Sequence, residues 1–174
     1  MAEIKFWRYA LPSVDGVSGW GIFLLDSTGM FSCVTDYGNY AFKWTHHGMK
    51  DFREFFIDRS FDYHVKKLFS ETGGSKEFRP EETVERIKEY ILEHRRDGYY
   101  TEEKARKEWD LVESVDWDMG EISKHEWYEQ TSIQDGYEYF TYDYPARVKA
   151  LRDELFPRFS EMMELELEKE KVTA

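Results

Sequence analysis

Trp20-Gly21-Ile22-Phe23-Leu24-Leu25, then Asp26-Ser27-Thr28-Gly29, then Met30-Phe31-Ser32-Cys33-Val34-Thr35, is the stretch that decides the fold. Two apolar runs flank a short polar segment ending in glycine, the residue that supplies positive φ most readily, so the stretch predicts a β-hairpin. Trp20, Ile22 and Leu24 fall on one face of the first strand and Phe23 and Leu25 on the other. Upstream, Ile4–Ala10 is a further strand, set off by the loop Pro12–Gly19 with Asp15-Gly16 as its turn. Downstream, Asp36-Tyr37-Gly38-Asn39 turns the chain into Tyr40–Thr45. Residues 1–45 therefore predict a four-stranded antiparallel meander. Large side chains on both faces call for helices over at least one of them.

Beyond Thr45 the apolar period changes from two to about 3.6 residues. Met49, Phe52, Phe55 and Phe56 mark a helix starting near Gly48, and Ser60 caps another carrying Phe61, Val65, Leu68 and Phe69. Glu71–Phe78, with Gly73-Gly74, reads as a mobile loop. Pro80, followed by Glu81 and Glu82, opens a helix that Asp97-Gly98 stops, and Thr101 caps its antiparallel partner. Regularity fades after Ser114. Pro145 opens the last helix, which Pro157 should kink and whose end, Glu164–Ala174, should fray. The expected architecture is α+β: a single domain over 1–174, with the meander covered by helices from the C-terminal two thirds. Its segments are 46–70 (short helices), 80–116 (helical hairpin), 117–144 (acidic aromatic segment) and 145–170 (kinked helix).

Composition narrows the function classes. The chain has 174 residues, is 41% hydrophobic and 18% aromatic, and carries net charge −12, which suits a packed core and disfavours disorder. That charge argues against direct binding to nucleic acid or an anionic membrane. One cysteine, Cys33, excludes an internal disulfide and suits a reduced, cytoplasmic setting. No apolar run approaches the roughly 20 residues that span a bilayer.

The charge is unevenly spread. Glu108, Asp110, Glu113, Asp116, Asp118, Glu121, Glu126, Glu129, Asp135, Glu138 and Asp143 face a single base, Lys124, so 36 residues hold ten of the twelve excess charges. Elsewhere acids and bases interleave, as from Glu81 to Arg96, in a manner suited to i,i+4 pairing. An unneutralised run is either a solvated helix face or a surface for a basic partner. Ten charges match about 17 Å of duplex DNA at about 1.7 Å per charge, provided the segment folds compactly. Trp117 and Trp127 lie within it as candidate anchors.

Other chemistries fit poorly. Gly16, Gly19 and Gly21 have no phosphate-loop spacing. A calcium loop opening at Asp116 needs glycine at its sixth position and glutamate at its twelfth, where Glu121 and Trp127 stand. Neither a cofactor nor a metal site is read from the chain. The meander brings Glu3, Asp26, His46 and His47 toward one end of the sheet, which leaves a metal-dependent or acid/base enzyme as the alternative. Asp36 lies at the other end, about 20 Å away at about 3.3 Å per residue.

Gly19-Trp20-Gly21-Ile22-Phe23, Asp26-Ser27-Thr28-Gly29-Met30-Phe31, Thr35-Asp36-Tyr37-Gly38-Asn39-Tyr40 and Asp51-Phe52-Arg53-Glu54-Phe55-Phe56 together resemble a family of small uncharacterised bacteriophage and prophage proteins. The resemblance covers Ser18–Leu68, and more loosely Arg106–Glu113. It implies a mobile-element protein acting inside a bacterium, where acidic accessory proteins often occupy the basic site of host nucleic-acid-binding machinery. The expected function is thus non-enzymatic: the eleven acids with Trp117 and Trp127 bind a basic protein surface as a nucleic-acid mimic. A structural or assembly role, with exposed aromatics forming a homo-oligomer interface, stays open beside it.

Overall fold

The computed structural model describes residues 3–71, 74 and 76–173. The chain forms two compact units, Met1–Ser75 with Tyr144–Ala174, and Lys76–Asp143.

In the first unit, β1 (Phe6–Leu11), β2 (Gly21–Asp26), β3 (Met30–Thr35) and β4 (Gly38–Lys43) pair in sequence order, all antiparallel. The hairpin falls where the sequence places it. Gly29 adopts φ 88°, and one Asp26 carboxylate oxygen accepts from the Thr28 amide (2.7 Å), the Met30 amide (3.1 Å) and the Thr28 hydroxyl (2.7 Å). This local cap fixes the register, Leu25 opposite Phe31 and Phe23 opposite Cys33.

One face of the sheet is buried under α1 (Phe52–Asp58), α2 (Phe61–Glu71) and the C-terminal helices. Phe23 stacks on Phe159 at 4.3 Å and Phe31 on Phe56 at 5.1 Å, geometries in which ring quadrupoles attract. Cys33 is buried here, and that burial pushes its thiol up to about 12, so it packs as a small apolar group. The expected α+β fold, meander first, is what the structure has.

Local details depart from the reading at three places. The first helix begins at Phe52 rather than near Gly48, because Asp51 caps it by accepting from the Arg53 amide. The expected kink at Pro157 becomes a π-helical stretch, Leu151–Leu155, between α6 (Ala146–Ala150) and α7 (Phe156–Thr173). A proline crowds the carbonyl four residues back, and widening the preceding turn relieves that without breaking the helix. The expected fraying from Glu164 does not occur, since α7 stays helical to Thr173. The reason is Arg53, 2% exposed, which binds Glu166 and Glu170 of α7. Of the expected loop Glu71–Phe78, residues 72, 73 and 75 lie outside the described residues, while Glu71 ends α2 and Glu77–Phe78 forms a short strand.

The second unit is a helical hairpin, α3 (Pro80–Arg96) and α4 (Glu102–Ser114), with α5 (Glu121–Gln130) and two 3₁₀ turns, Trp117–Met119 and Gly136–Tyr139. Two-residue strands β5 (Glu77–Phe78) and β6 (Tyr142–Asp143) pair its ends. Ile87, Ile91, Val112, Val115, Trp117, Trp127 and Ile133 form its core.

Candidate interaction surface

The second unit contains 20 carboxylates against 10 lysines and arginines, so it holds almost the whole negative excess of the chain. Its elements decide which acids reach solvent. Glu108 does not: on the inner side of α4 and 2% exposed, it accepts from the Thr131 hydroxyl (2.6 Å), the Ser132 amide (3.0 Å) and the Ser132 hydroxyl (2.7 Å). A buried carboxylate so fully bonded ties α4 to the segment after α5, and it is unavailable to a partner.

Asp143 is half-buried. The other nine acids of the window are exposed. Glu113 pairs with Lys88 at 2.7 Å, and Glu121 pairs with Lys124. Asp110, Asp116, Asp118, Glu126, Glu129, Asp135 and Glu138 have no ion pair among the described residues.

The two tryptophans expected as anchors are core instead. Trp127 is 0% exposed and packs on Trp117 (5.9 Å) and Phe140 (5.7 Å), while Trp117 donates its indole N–H to the Val112 carbonyl at 2.9 Å. Large indoles contribute most when desolvated, and these two sit at the centre of a core that Phe78, Tyr90, Trp109, Tyr139 and Phe140 surround. The window's rings that reach solvent are Tyr128, Tyr137 and Tyr142; the first two lie 6.3 Å apart, and all three line a 330 Å³ pocket with Glu121, Lys124 and Phe140. The fields of Asp135 and then Glu138 raise the Tyr137 hydroxyl above its ordinary value.

Lys124, the lone base of the window, is itself buried. Burial alone would pull its ammonium down. Glu121 and the Tyr142 hydroxyl (2.6 Å) outweigh that and hold it above the ordinary lysine range, with the Phe78 ring 4.9 Å away. Its charge is thus spent inside the unit and neutralises little of the surface.

Asp116 and Asp118 share a 440 Å³ groove with Glu81 and Glu85 from the first turns of α3, and no lysine or arginine lines it. Glu81 and Glu85 escaped the sequence reading because they sit in an interleaved stretch. The detectable signal was their i,i+4 spacing, which puts both on one helical face, and Lys88 on that same face is taken up by Glu113.

In the first unit, Asp26 serves the hairpin turn, the His46 ring bonds the Thr45 hydroxyl at 3.0 Å, and His47 packs on Phe52 at 5.2 Å. Among the described residues no group of three or more His, Cys, Asp or Glu side chains could hold a metal, so Glu3, Asp26, His46 and His47 do not assemble as ligands. No helix among the described residues is long and apolar enough to cross a membrane.

Comparison with curated proteins and with solved structures found no match. A family model does match, over residues 2–164, which is nearly the whole chain and extends the resemblance read from Ser18–Leu68. The chain belongs to that family, the phage family Phage_phiTE_072.

Proposed function

We propose that this phage protein is a non-enzymatic interaction protein whose Lys76–Asp143 unit binds a basic protein surface of the host, in the manner of a nucleic-acid mimic. One observation carries the reading: a groove lined by Glu81, Glu85, Asp116 and Asp118 with no compensating base, in a unit with twice as many carboxylates as cations. Exposed carboxylates left unpaired repel one another and cost stability. A basic partner removes that repulsion on binding and is steered in by the same field. Tyr128 and Tyr137 supply the rings that such interfaces use as anchors.

Immobilised protein is the test, exposed to bacterial lysate at low and at high salt. A basic protein is retained at low salt, released at high salt, and not retained by a chain carrying Asp116→Lys, Asp118→Lys, Glu126→Lys and Glu129→Lys. Retention that ignores both salt and these substitutions overturns the reading.

A further inference from the structure

The sheet of the first unit carries an exposed face of a different character from the acidic unit. The alternation that buries Tyr9, Phe23, Phe31 and Cys33 points their strand neighbours outward, to the face opposite the one that the described helices of this unit cover. Phe6 is 75% exposed, Leu24 46%, Met30 49% and Val34 50%. Phe6, Leu24 and Met30 line one groove of 240 Å³. Large apolar side chains gathered on one face, rather than scattered, mark an interaction site.

Charge identifies the occupant. Arg8 stands opposite Leu24, and Lys43 stands opposite Met30. Both are exposed and neither has an ion pair among the described residues. The one carboxylate on this face, Asp26, is 8% exposed and consumed by the turn. Burial would raise its carboxyl, but bonds from Thr28 and Met30 and, least of these, the field of Lys43 hold it below the ordinary range. In a protein of net charge −12, this face is apolar and cationic.

We infer that the open face of the β1–β4 sheet docks an amphipathic helix of a partner protein, apolar along one side and flanked by carboxylates. Size agrees. Four strands of six residues span about 14 Å by about 20 Å, the footprint of roughly three to four turns of a helix about 10–12 Å wide. A second copy packed face to face would bring four cations together with no free carboxylate.

Two synthetic helical peptides of about 15 residues test this on the full chain by fluorescence titration, both with leucines along one side, one flanked by glutamates and the other by lysines. The glutamate peptide binds, and Leu24→Asp or Met30→Asp weakens it at least tenfold. The Arg8→Glu/Lys43→Glu chain prefers the lysine peptide. Binding of neither peptide, equal binding of both, or an unchanged preference in the charge-reversed chain overturns the proposal. So does a concentration-dependent dimer abolished by Leu24→Asp, which would make the occupant a second copy.

Discussion

The Arg53 guanidinium donates to both carboxylate oxygens of Glu170, at 2.9 and 2.7 Å, across 117 residues of sequence. Asp51 takes the other edge of the same guanidinium, at 3.1 and 2.8 Å, and the Trp7 ring lies 4.7 Å away. Tyr9 bonds Glu166 beside them. A planar donor fork with two bidentate acceptors holds the start of α1 against the end of α7. The Asp51-Phe52-Arg53 motif is therefore a structural clamp.

Arg53→Met should destabilise the fold by about 2–4 kcal/mol, because the buried cation leaves several carboxylates facing one another. Glu170→Gln, at a half-exposed position, should cost about 1 kcal/mol or less. Urea denaturation measures both, and hydrogen exchange should show the last turns of α7 opening first in Arg53→Met.

His64 makes stability pH-dependent. It is 0% exposed, lies 3.8 Å from and parallel to Phe56, and bonds the Phe56 carbonyl through Nε2 at 2.8 Å, while Nδ1 has no partner. Burial pulls its value from 6.5 down to about 4. The unfolded chain thus binds a proton that the folded chain refuses. Its contribution is complete above pH 6.5 and is lost as pH falls toward 4, by about 3 kcal/mol at about 1.4 kcal/mol per unit. Chemical denaturation across pH 4–7 should show a shallower slope in His64→Phe than in the parent chain.

Much of this was legible in the sequence, for identifiable reasons. The hairpin, the Ser60 and Thr101 caps, and the Pro80 start are set by neighbours within a few residues, and local chemistry survives folding. Helix α5 was not legible. Its buried side is Ser123, Lys124 and Trp127 while Ile122 and Tyr128 face solvent, so its apolar pattern does not follow the helical period. The role of Glu108 was hidden likewise, because its acceptor duty depends on Thr131 and Ser132 arriving from 23 and 24 residues away. Composition located the acidic region, and only the fold separates its surface acids from the buried one.

Glu108 separates folding from binding. Glu108→Ala orphans two hydroxyls and an amide and should cost about 2–4 kcal/mol. Glu126→Lys, on the exposed side of α5, should change stability by about 0.5 kcal/mol or less and act on binding alone. Thermal melts of the two variants check the contrast.

Gly136→Ala should destabilise by about 1–3 kcal/mol, since a Cβ there would come within 2.8 Å of the fully buried Trp127 ring. Denaturant titration followed by tryptophan fluorescence reads both the loss and the displaced ring.

The most direct test of the acidic-surface account is competition with duplex DNA. Protein retained from lysate by the immobilised chain should be displaced by added duplex and lost entirely with Glu81→Lys, Glu85→Lys, Asp116→Lys and Asp118→Lys together. Retention that persists under saturating duplex, or that survives the four substitutions in a folded chain, would contradict it.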